Sequence, residues 1–193
     1  MAGVRIERYD TAWPVAFTAI AARLREVLGS DAARIDHIGS SSVPDLDAKD
    51  VVDIQVSVED EAALDRVAAV LEGDGWQAPG GVWRDHVPPG MVADDREWAK
   101  RFLSEPVGTR RVNLHVRVTG RANQRYPLLF RDYLRSHPES ARAYATLKRD
   151  LASVMPDDLE RYTDVKDAAC DIIYLAAEEW ALATGWSPGP TDA

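Results

Sequence analysis

The sequence holds one cysteine, Cys170, among its 193 residues. A single thiol excludes an intramolecular disulfide and a thiolate metal cage. It falls in an apolar-periodic run, residues 165–175, where a packed core thiol is the expectation, because a buried cysteine behaves as a small hydrophobe. No apolar run is long enough to span a bilayer, and no secretory apolar core follows Met1. The expectation is therefore a cytoplasmic chain without membrane contact. Positive charge is also in deficit: 23 Lys and Arg against 32 Asp and Glu leave a net charge of -9. That balance argues against nonspecific nucleic-acid binding. There is no internal repeat and no low-complexity stretch.

What remains is an ordinary globular composition, 46% apolar and 28% charged. The length fits one domain, 1–184, with a sheet part at about 1–120, a helical cap at about 121–184 and a flexible tail at 185–193. Charge is unevenly spread. Residues 101–150 carry eleven Lys and Arg against four Asp and Glu. A basic stretch in an acidic protein suits a small anionic ligand; equally, it suits the solvated faces of helices.

Pattern along the chain predicts the elements. Pro14 opens a helix that Gly29 stops, with Val15, Ala19, Ala22 and Val27 near helical spacing. Residues 34–38 read as a strand, 39–42 as a small-residue turn, and 51–58 as a strand. In that second strand Val52, Ile54, Val56 and Val58 share one face, and Val51, Asp53, Gln55 and Ser57 share the other. A helix over 59–72 follows, closed by Gly73. The turn-rich stretch 76–89 is expected to hold one or two short strands, and 91–96 to be loop. Strands are predicted at 99–104 and 110–118, and helices at 123–136, 138–154 and 159–184. In the last helix Tyr162, Val165, Ala169, Ile172 and Ala176 form the expected apolar stripe. The fold class is α/β (α+β): a mixed sheet with flanking helices and a C-terminal helical cap.

The chemistry concentrates in residues 36–58. A Gly39-Ser40-Ser41 turn leaving a strand can present N–H groups and hydroxyls to a phosphate, and glycine lets the phosphate approach closely. Asp53, on the polar face of the next strand, can hold the Mg²⁺ that accompanies a nucleotide. Lys49 is the nearest cation; it neutralises a phosphate or snorkels. Asp45, Asp47 and Asp50 read as a solvated loop. His37 orients the loop, fills a polar niche or touches a ligand, while His86 and His137 read as surface.

These residues resemble a known family. IDHIGSSSVPDLDAKDVVDIQVSV, the opening YDTAWPVAF, and the later NLHVRV, FRDYLRSHPESARAYATLKRDLA and YTDVK, in that order, are similar to the GrpB (UPF0157) family over residues 4–177. The resemblance implies a nucleotidyltransferase-superfamily fold, and kinship with the C-terminal part of some bacterial dephospho-CoA kinases. It raises the interest of Lys148, Tyr162 and Lys166, which could stack a base and clamp a phosphate, and of Arg131, a phosphate clamp or an ion-pair partner. The departures matter as much. Catalytic members of the superfamily place two carboxylates two apart on the strand after the turn and a third on a later strand. Here the pair is Asp53 and Gln55, and His115 stands where the third acid is aligned. That set makes a weak Mg²⁺ site, in need of ligand oxygens. Asp53 and His115 could instead act as a general acid/base pair, or His115 could accept a softer metal. Two functions stand: a nucleotidyltransferase acting on a nucleotide or CoA-related ligand, and a noncatalytic accessory or sensing domain. Neither names a protein partner.

Overall fold

The computed structural model describes residues 3–80 and 83–193. Its elements in chain order are α1 (Ala12–Leu28), β1 (Arg34–Ile38), β2 (Val52–Val58), α2 (Glu61–Gly73), α3 (Asp95–Trp98), β3 (Arg101–Ser104), β4 (Val112–Val118), α4 (Ala122–Ser136), α5 (Pro138–Val154) and α6 (Leu159–Thr184). The four strands form one sheet in the order β1-β2-β4-β3. β2 and β4 run parallel at its centre, and β1 and β3 flank them antiparallel.

Local chemistry sets the boundaries. Asp60 caps α2 by accepting the Ala63 N–H at 2.9 Å, and Asp158 caps α6 by accepting from Arg161 at the same distance. Pro138 occupies the first turn of α5, where its missing N–H costs nothing. Gly185 ends α6 in the left-handed conformation that L side chains resist.

One sheet face is predominantly apolar. Ile35, Val52, Ile54, Val56, Leu103, Leu114 and Val116 bury against Phe17, Leu24 and Leu28 of α1 and Leu64, Val67 and Leu71 of α2. The opposite face is polar and lies beneath α4, which contacts β1 and β4. A second core joins α4, α5 and α6 around Leu129, Leu134, Ala145, Tyr174 and Ala177 and reaches Val43 and Leu46 of the β1–β2 connection. The cap is thereby packed onto the sheet part.

Several expectations need correction. The buried stripe of α1 is Trp13, Phe17, Ala21, Leu24 and Leu28; Val15, Ala19 and Ala22 are exposed. Two aromatics bury more area than valine and alanine, so they choose the face. In α6 the buried set is Tyr162, Asp171, Tyr174, Ala177 and Ala181, while Ile172 is 72% exposed. Asp95 and Arg96 of the expected loop form α3 together with Glu97 and Trp98. Residues 81 and 82 of the turn-rich stretch lie outside the described residues; the remainder makes the isolated bridges Gln77–Ser104 and Arg84–Ala99. The basic stretch 101–150 is largely ion-paired: Arg101 with Asp65, Arg117 with Asp85, Arg121 with Glu61, Arg125 with Glu178 and Arg149 with Asp47. Asp47 and Asp50, read as solvated, are anchors: Asp47 accepts the Tyr9 N–H, and Asp50 accepts Trp13 Nε1 at 2.8 Å and pairs with Arg110. The tail, expected to be flexible, lies along the outer edge of β1. There Thr191 Oγ1 accepts the Ile35 N–H, and Asp192 accepts the His37 N–H. Among the described residues no helix is long and apolar enough to cross a membrane.

Candidate functional site: a lysine-rich cleft between sheet and cap

A cavity of about 450 Å³ opens between the polar sheet face and the cap. That volume is in the range of small-molecule sites. Its floor comes from alternation: Asp53 of β2 and Asn113 and His115 of β4 point to the face opposite the apolar core. Its roof comes from α4, α5 and α6, which supply Tyr126, Phe130, Tyr144, Lys148, Tyr162, Lys166 and Cys170.

The turn after β1 closes one end. Gly39 has φ +69°, and a Cβ there would fall 2.3 Å from Asp53 Oδ2. The glycine therefore permits both the turn and the close approach of the carboxylate. Asn113 Nδ2 donates to Asp53 Oδ1 at 2.7 Å. Burial pushes the Asp53 carboxyl pKa up, against the pull of Asn113 and Lys49. Lys148 Nζ donates to Ser40 Oγ at 2.9 Å and to the Asp47 carbonyl at 2.5 Å. Lys148 is 2% exposed, and burial lowers its pKa to about 7. An ammonium has three N–H groups, so one remains for the cleft. Lys49 lies 5.7 Å from the Tyr162 ring centroid, and burial lowers its pKa as well. Lys166 pairs with Asp167 at 2.6 Å; burial opposes its charge, but the facing Cys170 and Asp167 outweigh that and raise its pKa.

The other end is a buried polar network. Arg117 Nε and Nη2 donate to the two oxygens of Asp85 at 2.8 and 2.9 Å, and Nη1 donates to Gln55 Oε1 at 2.8 Å. Lys100 and Asn123 Nδ2 also donate to Asp85, at 2.6 and 3.1 Å. Burial favours a neutral Asp85, yet Arg117 and Lys100 hold its carboxyl well below the usual carboxylate range. Burial, then Arg117 and Lys100, push the His115 imidazole pKa well below its ordinary value.

Gly39, Ser40, Ser41, Lys49, Asp53, His115, Lys148, Tyr162 and Lys166 all line this one cleft. Arg131 is not brought to it. Its guanidinium is 3% exposed and is used by Asp132, the His37 carbonyl and Asp192. Gln55 has Asp53's facing but not its access: it is fully buried, bonded by Arg117 and donating to the Gln124 carbonyl at 3.1 Å. His37 sits on the apolar side, stacked on Phe17 at 4.8 Å, with Nε2 at 3.2 Å from Ser41 Oγ. It fixes the turn from behind. His86 is exposed, as read, and its Nε2 lies 3.0 Å from Asp171 at the rim of the cleft. Cys170 is a cleft-wall residue rather than a core thiol; its Sγ lies 3.2 Å from the Tyr144 hydroxyl. Sequence reasoning missed Asp85, Lys100, Asn113 and Asn123. Asn113 was readable, since it alternates with Leu114 on a predicted strand.

The donor set does not fit a protein-held Mg²⁺. Asp53 is the cleft's lone carboxylate beside the turn, its neighbour Asn113 is an amide, and no group of three or more His, Cys, Asp or Glu able to hold a metal occurs among the described residues. The acid/base reading also loses ground, because an imidazole with so low a pKa is a weak base and is not charged near neutrality.

The family model described as GrpB protein matches residues 3–175. A dephospho-CoA kinase of Mycolicibacterium paratuberculosis is 33% identical over 97% of this chain and 49% of its own length. The UPF0157 protein PA4798 of Pseudomonas aeruginosa is 39% identical over 82% of this chain and 61% of its own. The chain spans about half the length of the dephospho-CoA kinases it matches. The crystal structure of conserved protein GrpB from Enterococcus faecalis superposes with a TM-score of 0.73 at 30% identity, covering 91% of this chain and 99% of that one. The α/β architecture expected from the sequence, a mixed sheet under a helical cap, is the one observed. Sequence and fold agree, and the chain belongs to the GrpB family.

Proposed function

We propose that this chain binds a small phosphate-bearing molecule, a nucleotide or CoA-related ligand, in the cleft between sheet and cap, and acts as a binding or accessory domain. The observation that carries this is Lys148: a cation 2% exposed, with no carboxylate hydrogen-bonded to it among the described residues, held by Ser40 Oγ and a backbone carbonyl. Burying such a charge is costly unless an anion compensates it. Lys49 and Lys166 stand at the same end of the cavity, so positive charge converges there. The aromatic roof of Tyr144, Tyr162, Tyr126 and Phe130 offers apolar and stacking surface to the rest of the ligand. The relatives named dephospho-CoA kinase make dephospho-CoA a natural probe.

Nucleotidyl transfer is the second reading, favoured by Asp53 beside the Gly39-Ser40 turn. It needs a metal shell that Asp53 cannot furnish without ligand oxygens. A thermal-shift screen of ATP, UTP, dephospho-CoA and inorganic phosphate, with and without Mg²⁺ or Mn²⁺, tests both. Stabilisation by phosphate ligands without metal supports the binding reading, since specific binding raises apparent stability by mass action. Stabilisation only with metal supports the transferase reading, and no shift by any probe contradicts both.

A further inference from the structure

The far end of the cleft holds a group that the anion site does not use. His115 stands two residues beyond Asn113 on β4, so about 6.6 Å further along the strand than Asp53's partner. It is half-buried and lines the cavity. Arg117 Nη2 lies 3.3 Å from His115 Nδ1. A guanidinium only donates and stays protonated in proteins, so Nδ1 is the acceptor of this bond. A neutral imidazole that accepts at Nδ1 carries its proton on Nε2. Arg117 is not free to change the arrangement, because Asp85 holds two of its nitrogens and Gln55 a third. The Phe102 ring packs against the imidazole at 5.1 Å between centroids. None of the hydrogen bonds among the described residues uses Nε2.

We infer that His115 is a neutral, tautomer-locked donor that recognises an uncharged hydrogen-bond acceptor, a carbonyl, ring nitrogen or hydroxyl oxygen, on the part of the ligand beyond its phosphates. This rests on the reading of the cleft as a phosphate-ligand site. The division of labour follows from chemistry. The lysines attract any phosphate alike, whereas a single fixed donor rejects a ligand that presents another donor at that point. Burial and the neighbouring cations keep the ring uncharged, so it does not compete with the lysines for phosphate.

The test uses inorganic tripolyphosphate and the four ribonucleoside triphosphates, titrated calorimetrically into the whole chain, the His115→Phe variant and the His115→Gln variant. Glutamine keeps an amide donor. The inference predicts that at least one nucleotide binds the wild type about five- to tenfold more tightly than tripolyphosphate, the range of one net hydrogen bond. His115→Phe should weaken that nucleotide's binding about five- to tenfold and leave tripolyphosphate affinity unchanged, while His115→Gln should keep most of it. Tripolyphosphate binding with no nucleotide preference, or a preference undiminished in His115→Phe, would overturn the role of His115 and leave the anion site standing. Failure of every probe to bind the wild type would overturn the anion site itself. Imidazole ¹⁵N spectra of the ligand-free chain at pH 7 supply a separate readout: the Nε2–H tautomer is expected, and the Nδ1–H tautomer or an imidazolium contradicts the inference.

Discussion

The two faces of β2 and β4 are made by the same alternation and do opposite work. One carries Val52, Ile54, Val56, Leu114 and Val116 and packs against α1 and α2. The other carries Asp53, Gln55, Asn113, His115 and Arg117 and meets the cap and the cleft. Both are substantially buried, with Ile54 and Gln55 each at 0% exposure. The apolar face gains from simple removal from water. The polar face is tolerable only where each group has a partner, as Gln55, Arg117 and Asp85 do; Lys148, reaching in from α5, is held by a hydroxyl and a carbonyl rather than by a hydrogen-bonded carboxylate.

Variants on each face can break this contrast. Asp85→Ala should have the largest effect. It leaves Arg117 and Lys100 buried without their carboxylate, a loss of about 3–5 kcal/mol on the scale of broken buried pairs. Urea denaturation would measure it, and a change under about 1 kcal/mol would show that the network does not hold this face. The same pair gives a pH signature. Asp85's folded pKa is depressed, so its contribution is present above the unfolded carboxylate value and is lost as pH falls below it toward the folded value. On the apolar face, Ile54→Ala should cost about 3 kcal/mol through lost burial and a residual cavity. Its ligand affinity, measured on the folded fraction, should be unchanged.

Much of this contrast was legible in the sequence. The 34–38 strand and the helices Pro138–Val154 and Leu159–Thr184 fall where pattern places them, because Pro138 opens the first, Pro156 separates the two and Gly185 follows the second. The alternation of β2 and β4 also sorted Asp53 and His115 onto one face. The stripe of α1 was misread because Trp13 and Phe17 outweigh a row of small aliphatics. Asp85 and Lys100 were not legible. Both sit in or beside the irregular stretch before β3, where no period announces direction, and only tertiary contact brings them to Arg117. Arg131 was open between two readings for a related reason: charge says that it needs a partner, but not whether the partner is a ligand or, as the structure has it, the carboxylates of Asp132 and Asp192.

Smaller effects sharpen the contrast. Lys148 has a folded pKa of about 7, below its unfolded value near 10.5. The charged form is the one the fold disfavours, so wild-type stability should rise as pH increases from about 7 toward the unfolded value. Lys148→Met should remove that slope and raise stability at pH 7 by about 1 kcal/mol, because it replaces a buried charge with a similar-sized apolar chain. Thermal melts across pH 6–10 would check this, and an unchanged slope would exclude Lys148 as its source. Asp53→Asn should have the smallest effect on the fold, within about 0.5 kcal/mol, because the change is isosteric. If it abolished folding, Asp53 would be a structural group rather than a cleft ligand.

The most direct test of the account is a calorimetric titration of ATP into the wild type and Lys148→Met at pH 6.5 and pH 8.5. A ligand anion favours protonated Lys148, so wild-type affinity should fall about tenfold or more between these values, as the free group's pKa is about 7. Lys148→Met should bind weakly and with little pH dependence. Equal binding by both proteins at both pH values would contradict the claim that this buried lysine holds the ligand's phosphate.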